Sequence, residues 1–268
     1  MRRARDSSTR SATPCAGSST MADAARCLVF GGSGALGGAV CEALAADGAR
    51  LVLTYHAREA AARALAKRLP DAAAAPVDLA SVASIDAAVD AAAAHLGGID
   101  AFVQCAGVAV TSAGARRPSH PSIAEVDERG WDTMLDVNAK STFFAVRRVT
   151  AVMRGHGGGN VVVVGSIDGV KPVPAPVHYA ASKGALGGMI AALAKELGPD
   201  NVRVNMVAPG IMEDGISRVL DDALMKEYLK HCGLRRLGRL GEVASVIAWL
   251  ARHNTYVTGR TILVDGAL

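Results

Sequence analysis

Aromatic residues are scarce in this chain: four Phe, four Tyr and two Trp among 268 residues. That leaves no array of rings on which single-stranded bases could stack. Charge of one sign is also lacking, since the formal net charge is only +4. The most basic short run, Arg235-Arg236-Leu237-Gly238-Arg239, contains a glycine and no aromatic. It reads as a solvated or cofactor-side loop, and no nucleic-acid partner is expected. The five cysteines (Cys15, Cys27, Cys41, Cys105, Cys232) form no C-x-x-C pair and follow no secretory apolar segment. This argues against a disulfide framework and against zinc; three or four of them should be buried and reduced. The seven histidines show neither H-x-x-x-H nor H-E-x-x-H spacing, so no metal is implied. No charge-free apolar run reaches the roughly 18 residues of a membrane span. A cytoplasmic location is expected, or an organelle if the first residues are a presequence.

Half of the chain is hydrophobic, which is material for a large core, and alanine is abundant, as suits helices packed closely on a sheet. Residues 1–20 differ in kind, with four arginines, eight Ser or Thr and a single acid, before Met21-Ala22-Asp23. Three origins fit them: an upstream start with Met21 as initiator, an organellar presequence, or a disordered tail. They lack apolar periodicity and should be dispensable. Residues 21–268 are expected to form one domain.

From Cys27 onward, short apolar runs alternate with helical stretches. The fold class expected is α/β, a single Rossmann-type doubly wound parallel sheet of about seven strands with helices on both faces. The strands are placed at Cys27–Phe30, Arg50–Thr54, Ala73–Val77, Ala101–Gln104, Asn160–Gly165, Arg203–Val207 and Thr261–Val264. Helices are placed at Ala35–Asp47, Glu59–Leu69, Ser81–His95, a long one near Trp131–Arg154, Tyr179–Leu197 and Glu242–Ala251. Val108–Glu128 and Gly210 to about Leu224 break the rhythm as loops, the second with a short helix. Both should leave the carboxyl ends of strands, where doubly wound sheets bind ligands.

Gly31-Gly32-Ser33-Gly34-Ala35-Leu36-Gly37 follows a strand and opens a helix. Backbone N–H groups and the helix N-terminus can there face a pyrophosphate, and glycines let the backbone approach. The second strand ends Thr54-Tyr55-His56-Ala57-Arg58, with no acid to hold a ribose 2′-hydroxyl. Arg58, and with it His56, suits a 2′-phosphate, which favours NADP(H); otherwise Arg58 is only a solvent-facing start to the next helix. Further along, Tyr179 and Lys183 lie one helical turn apart in Tyr-Ala-Ala-Ser-Lys, with Ser166 thirteen residues upstream of the tyrosine. An ammonium at i+4 can favour the ionised phenol, and such a phenol can exchange a proton with a carbonyl oxygen.

With these motifs the chain resembles the short-chain dehydrogenase/reductase family from Arg26 to Gly266, most closely the 3-oxoacyl-[acyl-carrier-protein] reductases. The glycine turn is similar to T-G-x-x-x-[AG]-x-G, with Phe30 in place of the threonine. Asp78 and Leu79 stand where the resemblance implies contact with the adenine. Gln104-Cys105-Ala106-Gly107 stands where Asn-Asn-Ala-Gly is usual, with Ala106 and Gly107 keeping the floor beneath the ribose. The resemblance implies a tetrad: Asn138 holds the water of a proton relay, Ser166 donates to the substrate carbonyl, Tyr179 is the acid of reduction, and Lys183 lowers the Tyr179 pKa and bonds the nicotinamide ribose. Without it, Asn138 is read as structural, a bend in the long helix. Pro209 and Gly210, with Met212 and Asp214 just beyond, stand beside the nicotinamide on this reading, Asp214 where a threonine is common. His178 reads as a surface or site-rim residue. The implied substrate is a small carbonyl, carried by CoA or a carrier protein, and the implied assembly a homotetramer or homodimer. The basic carrier-docking positions read Gly157-Gly158-Gly159 and Pro199-Asp200, although Arg147, Arg148 and Arg154 lie nearby. Another small carbonyl, a quinone, a pterin or a polyketide, is the second reading, and a cofactor-sensing protein without turnover the third.

Overall fold

Seven short runs rich in Val, Leu and Ala pair into one parallel sheet. The computed structural model describes residues 24–109, 122–214 and 222–268. The strands are β1 (Arg26–Phe30), β2 (Arg50–Tyr55), β3 (Ala72–Pro76), β4 (Ala101–Gln104), β5 (Gly159–Val164), β6 (Val202–Pro209) and β7 (Thr261–Val264). Their order is β3-β2-β1-β4-β5-β6-β7, and every pair is parallel. Both faces of the sheet are covered, so the central strands are apolar on both sides. Cys27 and Val29 point into one core while Leu28 and Phe30 point into the other.

The crossovers are α1 (Ala35–Ala46), α2 (Glu59–Arg68), α3 (Val82–Leu96), α4 (Glu128–Leu135), α5 (Ser141–Arg154), α6 (Val177–Leu197), α7 (Asp222–His231) and α8 (Leu240–Arg252). Leu44 of α1, Leu65 of α2 and Ile247 of α8 fill the first core. Ile85 of α3, Val149 of α5 and Ile190 of α6 fill the second. The single long helix expected near Trp131–Arg154 is instead two helices joined by a π-helical turn, Asp136–Lys140. Hydroxyls explain the widening: Ser141 Oγ donates to the Val137 carbonyl at 2.6 Å and Thr142 Oγ1 to the Asn138 carbonyl at 2.7 Å, drawing backbone acceptors outward. Such turns are often found at functional sites.

After β1 the chain winds outward to β3 and then returns to place β4 beside β1. The crevice outside their carboxyl ends is the switch point of the topology. The two stretches expected as loops leave β4 and β6, and their residues 110–121 and 215–221 lie outside the described residues. Ser122 and Glu125 form a reciprocal capping box before α4. A helix runs from Asp222 to His231, and the short helix expected before it falls on residues outside those described. Cys27, Cys41 and Cys232 are buried thiols and Cys105 is half-buried, all four free; Cys15 and the tail at residues 1–20 lie outside the described residues.

Candidate active site

The turn after β1 is built for close approach. Gly31 has φ +80°, and a Cβ there would lie 2.7 Å from the Ala106 nitrogen, so only glycine lets β1 and β4 present their ends side by side. Its N–H donates to Thr54 Oγ1 at 3.1 Å, and its carbonyl accepts from Gly34 at 2.9 Å. Phe30 is a core residue, edge-on to Phe102 at 5.1 Å; the hydroxyl that reaches the turn comes from Thr54 on the neighbouring strand. Gly34 caps α1 without a side chain, and the first turn contains no acid. The first N–H groups of the helix, following Ser33 and including those of Ala35, Leu36 and Gly37, are thus left for an anion. A glycine cradle in front of an uncapped helix fits a dinucleotide pyrophosphate.

Around this crevice lie the other cofactor candidates. His56 and Arg58 are exposed beyond the end of β2, with Arg58 at the N-cap of α2. Glu59 is paired with Arg63 at 2.7 Å, so the nearest acid is already occupied. Asp78 folds into a local turn, accepting from Ala80 N–H at 3.0 Å while its own N–H donates to Ser84 Oγ at 2.9 Å. Leu79 packs on the α3 side of the core, and so does Ala106. Buried Gln104 donates to Thr142 Oγ1 at 3.3 Å, turning away from the crevice. Pro209 is the last residue of β6, and Gly210 donates to the Val264 carbonyl at 3.0 Å. Met212 bridges to Gly238, and Asp214 ends the described stretch.

The four tetrad residues converge from three elements. Tyr179 and Lys183 stand on α6, with the Lys183 nitrogen 5.9 Å from the centre of the Tyr179 ring. Lys183 Nζ donates to the Val164 carbonyl at 3.2 Å, and Ser166, just past β5, lies close enough to the Tyr179 phenol to act on its proton affinity. A Cβ on Gly107 would lie 2.8 Å from Asn138 Oδ1 and 3.5 Å from Lys183 Nζ. Gly107, the helix bend at Asn138 and Lys183 therefore meet at one point. His178, read as a surface or site-rim residue, is buried, because α6 turns it inward.

Electrostatics reverse one expectation. Burial, and after it the Asp168 carboxylate, pushes the Tyr179 phenol up to about 12, with the nearby Ser166 hydroxyl opposing them. The nearby lysine does not lower it. Burial instead pulls the Lys183 ammonium down to about 8, opposed by Cys105 and Asp168. The Cys105 thiol is itself raised to about 12 by burial, with Lys183 pulling the other way.

Three residues escape the motif-based reading. Thr54 supports the glycine turn from a strand whose hydroxyl gives no local cue. Ser182, inside the Tyr-Ala-Ala-Ser-Lys run, accepts from Asn138 Nδ2 at 3.0 Å and donates to the Tyr179 carbonyl at 2.8 Å. Asp168 accepts the Ser166 hydroxyl hydrogen at 2.8 Å; Ser-x-Asp spacing is a recognisable local side-chain turn.

Among the described residues no cluster of His, Cys, Asp and Glu could hold a metal, and no helix is long and apolar enough to cross a membrane. Residues 32–268 match the family model described as enoyl-(acyl carrier protein) reductase. The chain is 33% identical over 245 residues to dehydrogenase/reductase SDR family member 4 of Bos taurus, covering 89% of this chain and 85% of that protein. It is 29% identical to an acetoacetyl-CoA reductase of Allochromatium vinosum, covering 90% and 97%. The crystal structure of a blue fluorescent protein from a metagenomic library, in complex with NADPH, superposes with a TM-score of 0.81 at 31% identity, covering 90% and 96%. With the parallel sheet, the glycine turn and the Ser-Tyr-Lys geometry, these matches make the chain a member of the short-chain dehydrogenase/reductase family, an oxidoreductase that uses a nicotinamide cofactor.

Proposed function

We propose that the protein reduces a small carbonyl compound to an alcohol with NADPH. The convergence of Ser166, Tyr179 and Lys183 beside the glycine cradle supports this most directly. When bound, the nicotinamide supplies a hydride to the carbonyl carbon. Tyr179, protonated across the neutral range with its pKa near 12, gives its proton to the carbonyl oxygen. Lys183, still largely charged at pH 7 with a pKa of about 8, holds the ribose side of the site. Arg58 favours NADP(H) over NAD(H), since its guanidinium is exposed where the second strand ends without an acid.

Two substrate classes compete. A 3-oxoacyl thioester is supported by the acetoacetyl-CoA reductase among the relatives. A free small carbonyl is favoured by the surface arginines, each of which is already paired with an acid: Arg147 with Asp86 at 3.4 Å, Arg148 with Asp90 at 2.6 Å and Arg154 with Asp200 at 2.6 Å. These pairs leave little unopposed charge for a carrier protein. Trp131 of α4 and Phe143 of α5, each 42% exposed, fit a dimer or tetramer contact. A cytoplasmic location fits a chain without a membrane-spanning helix among its described residues. The test is NADPH consumption with acetoacetyl-CoA, a carrier-bound ketoester and a quinone side by side. Faster consumption of one identifies the class, and none with any carbonyl overturns the reading.

A further inference from the structure

Ser166 has one hydroxyl hydrogen to give, and in this structure Asp168 takes it: Oγ donates to Asp168 Oδ2 at 2.8 Å, while the Asp168 N–H donates back to Oγ at 3.3 Å. We infer that Asp168 is a specificity residue that suits the site to ketones bearing a hydrogen-bond donor, a hydroxyl or an amine, on the carbon beside the carbonyl. This rests on the carbonyl-reductase reading above. A plain ketone offers only an acceptor, so it gains the Ser166 hydrogen only by breaking a charge-assisted bond. A substrate with an adjacent hydroxyl need not do so, because that hydroxyl can donate to the Ser166 oxygen or to the carboxylate, each oxygen of which accepts more than one bond.

The pair is held in place. Ile167–Gly169 is a 3-10 turn capped by Ser166, and Gly169 lies so close to α6 that a Cβ would stand 2.5 Å from the Gly184 nitrogen and the Lys183 carbonyl carbon. Beyond the turn, Lys171 is tied to Asp265 at 2.6 Å. Asp168 also lies at the reacting end of the site, since its charge acts on both Tyr179 and Lys183. A 3-oxoacyl thioester has no donor beside its reacting carbonyl, so the inference favours the free small carbonyl of the two substrate classes.

The test compares 1-hydroxy-2-butanone with 2-butanone as NADPH-dependent substrates of the parent, Asp168→Asn and Asp168→Ser, with melting curves to establish that each variant is folded. The parent should prefer the hydroxyketone by about tenfold or more in kcat/KM, the scale of one hydrogen bond to a charged group. In Asp168→Asn the preference should fall below about threefold, through a higher KM for the hydroxyketone and a higher kcat/KM for 2-butanone, which no longer has to break a charge-assisted bond to reach Ser166. Calorimetric binding of 1,2-butanediol and 2-butanol to the protein with NADPH, a pair that cannot exchange a hydride, gives a readout independent of turnover. Tighter diol binding in the parent alone, without reduction of either ketone, would uphold the role of Asp168 and overturn the reductase reading. No preference in the parent, or a preference that survives in both variants, would overturn the inference itself.

Discussion

Asn138 closes both of its amide atoms on the backbone of Val108: Oδ1 accepts the Val108 N–H at 2.8 Å and Nδ2 donates to the Val108 carbonyl at 2.9 Å. The π-helical turn between α4 and α5 is thereby fastened to the chain leaving β4. Through Ser182 the same amide reaches the Tyr179 carbonyl. One side chain thus couples Gly107 to the helix that carries Tyr179.

Asn138→Ala should therefore weaken the fold as well as the chemistry. It removes the side-chain partner of both Val108 backbone groups, at roughly 1–3 kcal/mol for each group left unsatisfied. At about 2–4 °C per kcal/mol for a domain of this size, the melting temperature should drop by roughly 4–24 °C, with a weaker Kd for the dinucleotide. Asn138→Asp keeps the acceptor and loses the donor, so it should fall between. Melting curves with and without cofactor check this, and an alanine variant with parental Tm and Kd contradicts it.

Lys183 is a buried ammonium that costs stability. Below about pH 8 it is charged in both the folded and unfolded chain, and the folded chain bears the desolvation penalty. Between about 8 in the folded protein and about 10.4 in the unfolded chain, only the unfolded chain keeps the proton. Raising pH through that window therefore stabilises the folded parent. Lys183→Met removes the penalty, on the order of 3 kcal/mol, less what the bond to the Val164 carbonyl contributes. It should melt several degrees higher than the parent at pH 7 while losing turnover, and the gap should narrow as pH approaches 10. A methionine variant that melts lower at pH 7 would show that the hydrogen bond outweighs burial.

Tyr179→Phe removes one hydroxyl and little volume, so the fold and the glycine cradle should be unaffected. The proton donor is lost, and general acid catalysis is typically worth about 10² to 10⁴ in rate. Single-turnover reduction should fall by that range while cofactor affinity stays within about twofold. A phenylalanine variant that reduces its ketone within about threefold of the parent rate would remove Tyr179 from the chemistry.

The sheet was legible because its strands are short, apolar and separated by amphipathic helices, and each expected strand overlaps an observed one. The π-helical turn was not, because it depends on the Ser141 and Thr142 hydroxyls bonding backward within a run that otherwise reads as continuous helix. Tyr179, Lys183 and Ser166 were legible by spacing, whereas the sign of the Tyr179 shift was not. Spacing reports that a lysine is near, while the pKa depends on burial and on Asp168, which topology brings to the phenol. Thr54 was hidden for a related reason: its bond to Gly31 spans two strands, and no local pattern announces it.

Cofactor choice turns on the end of β2. Arg58 is exposed at the start of α2, and Glu59 is held by Arg63 at 2.7 Å, so the guanidinium is not neutralised by its nearest acid. A 2′-phosphate would gain a charge-assisted bond there, worth about 1.5–3 kcal/mol, or roughly ten- to a hundredfold in affinity. Arg58→Ala should raise the KM for NADPH by about tenfold and leave that for NADH within about twofold. Arg58→Glu should go further, repelling the phosphate and offering an acceptor to the ribose hydroxyl of NADH. Because the contact is exposed, the NADPH preference of the parent should also shrink as salt rises from about 0.05 to 0.5 M. Steady-state kinetics with both cofactors check the assignment, and a higher kcat/KM for NADH in the parent would show that the arginine only opens the helix and faces solvent.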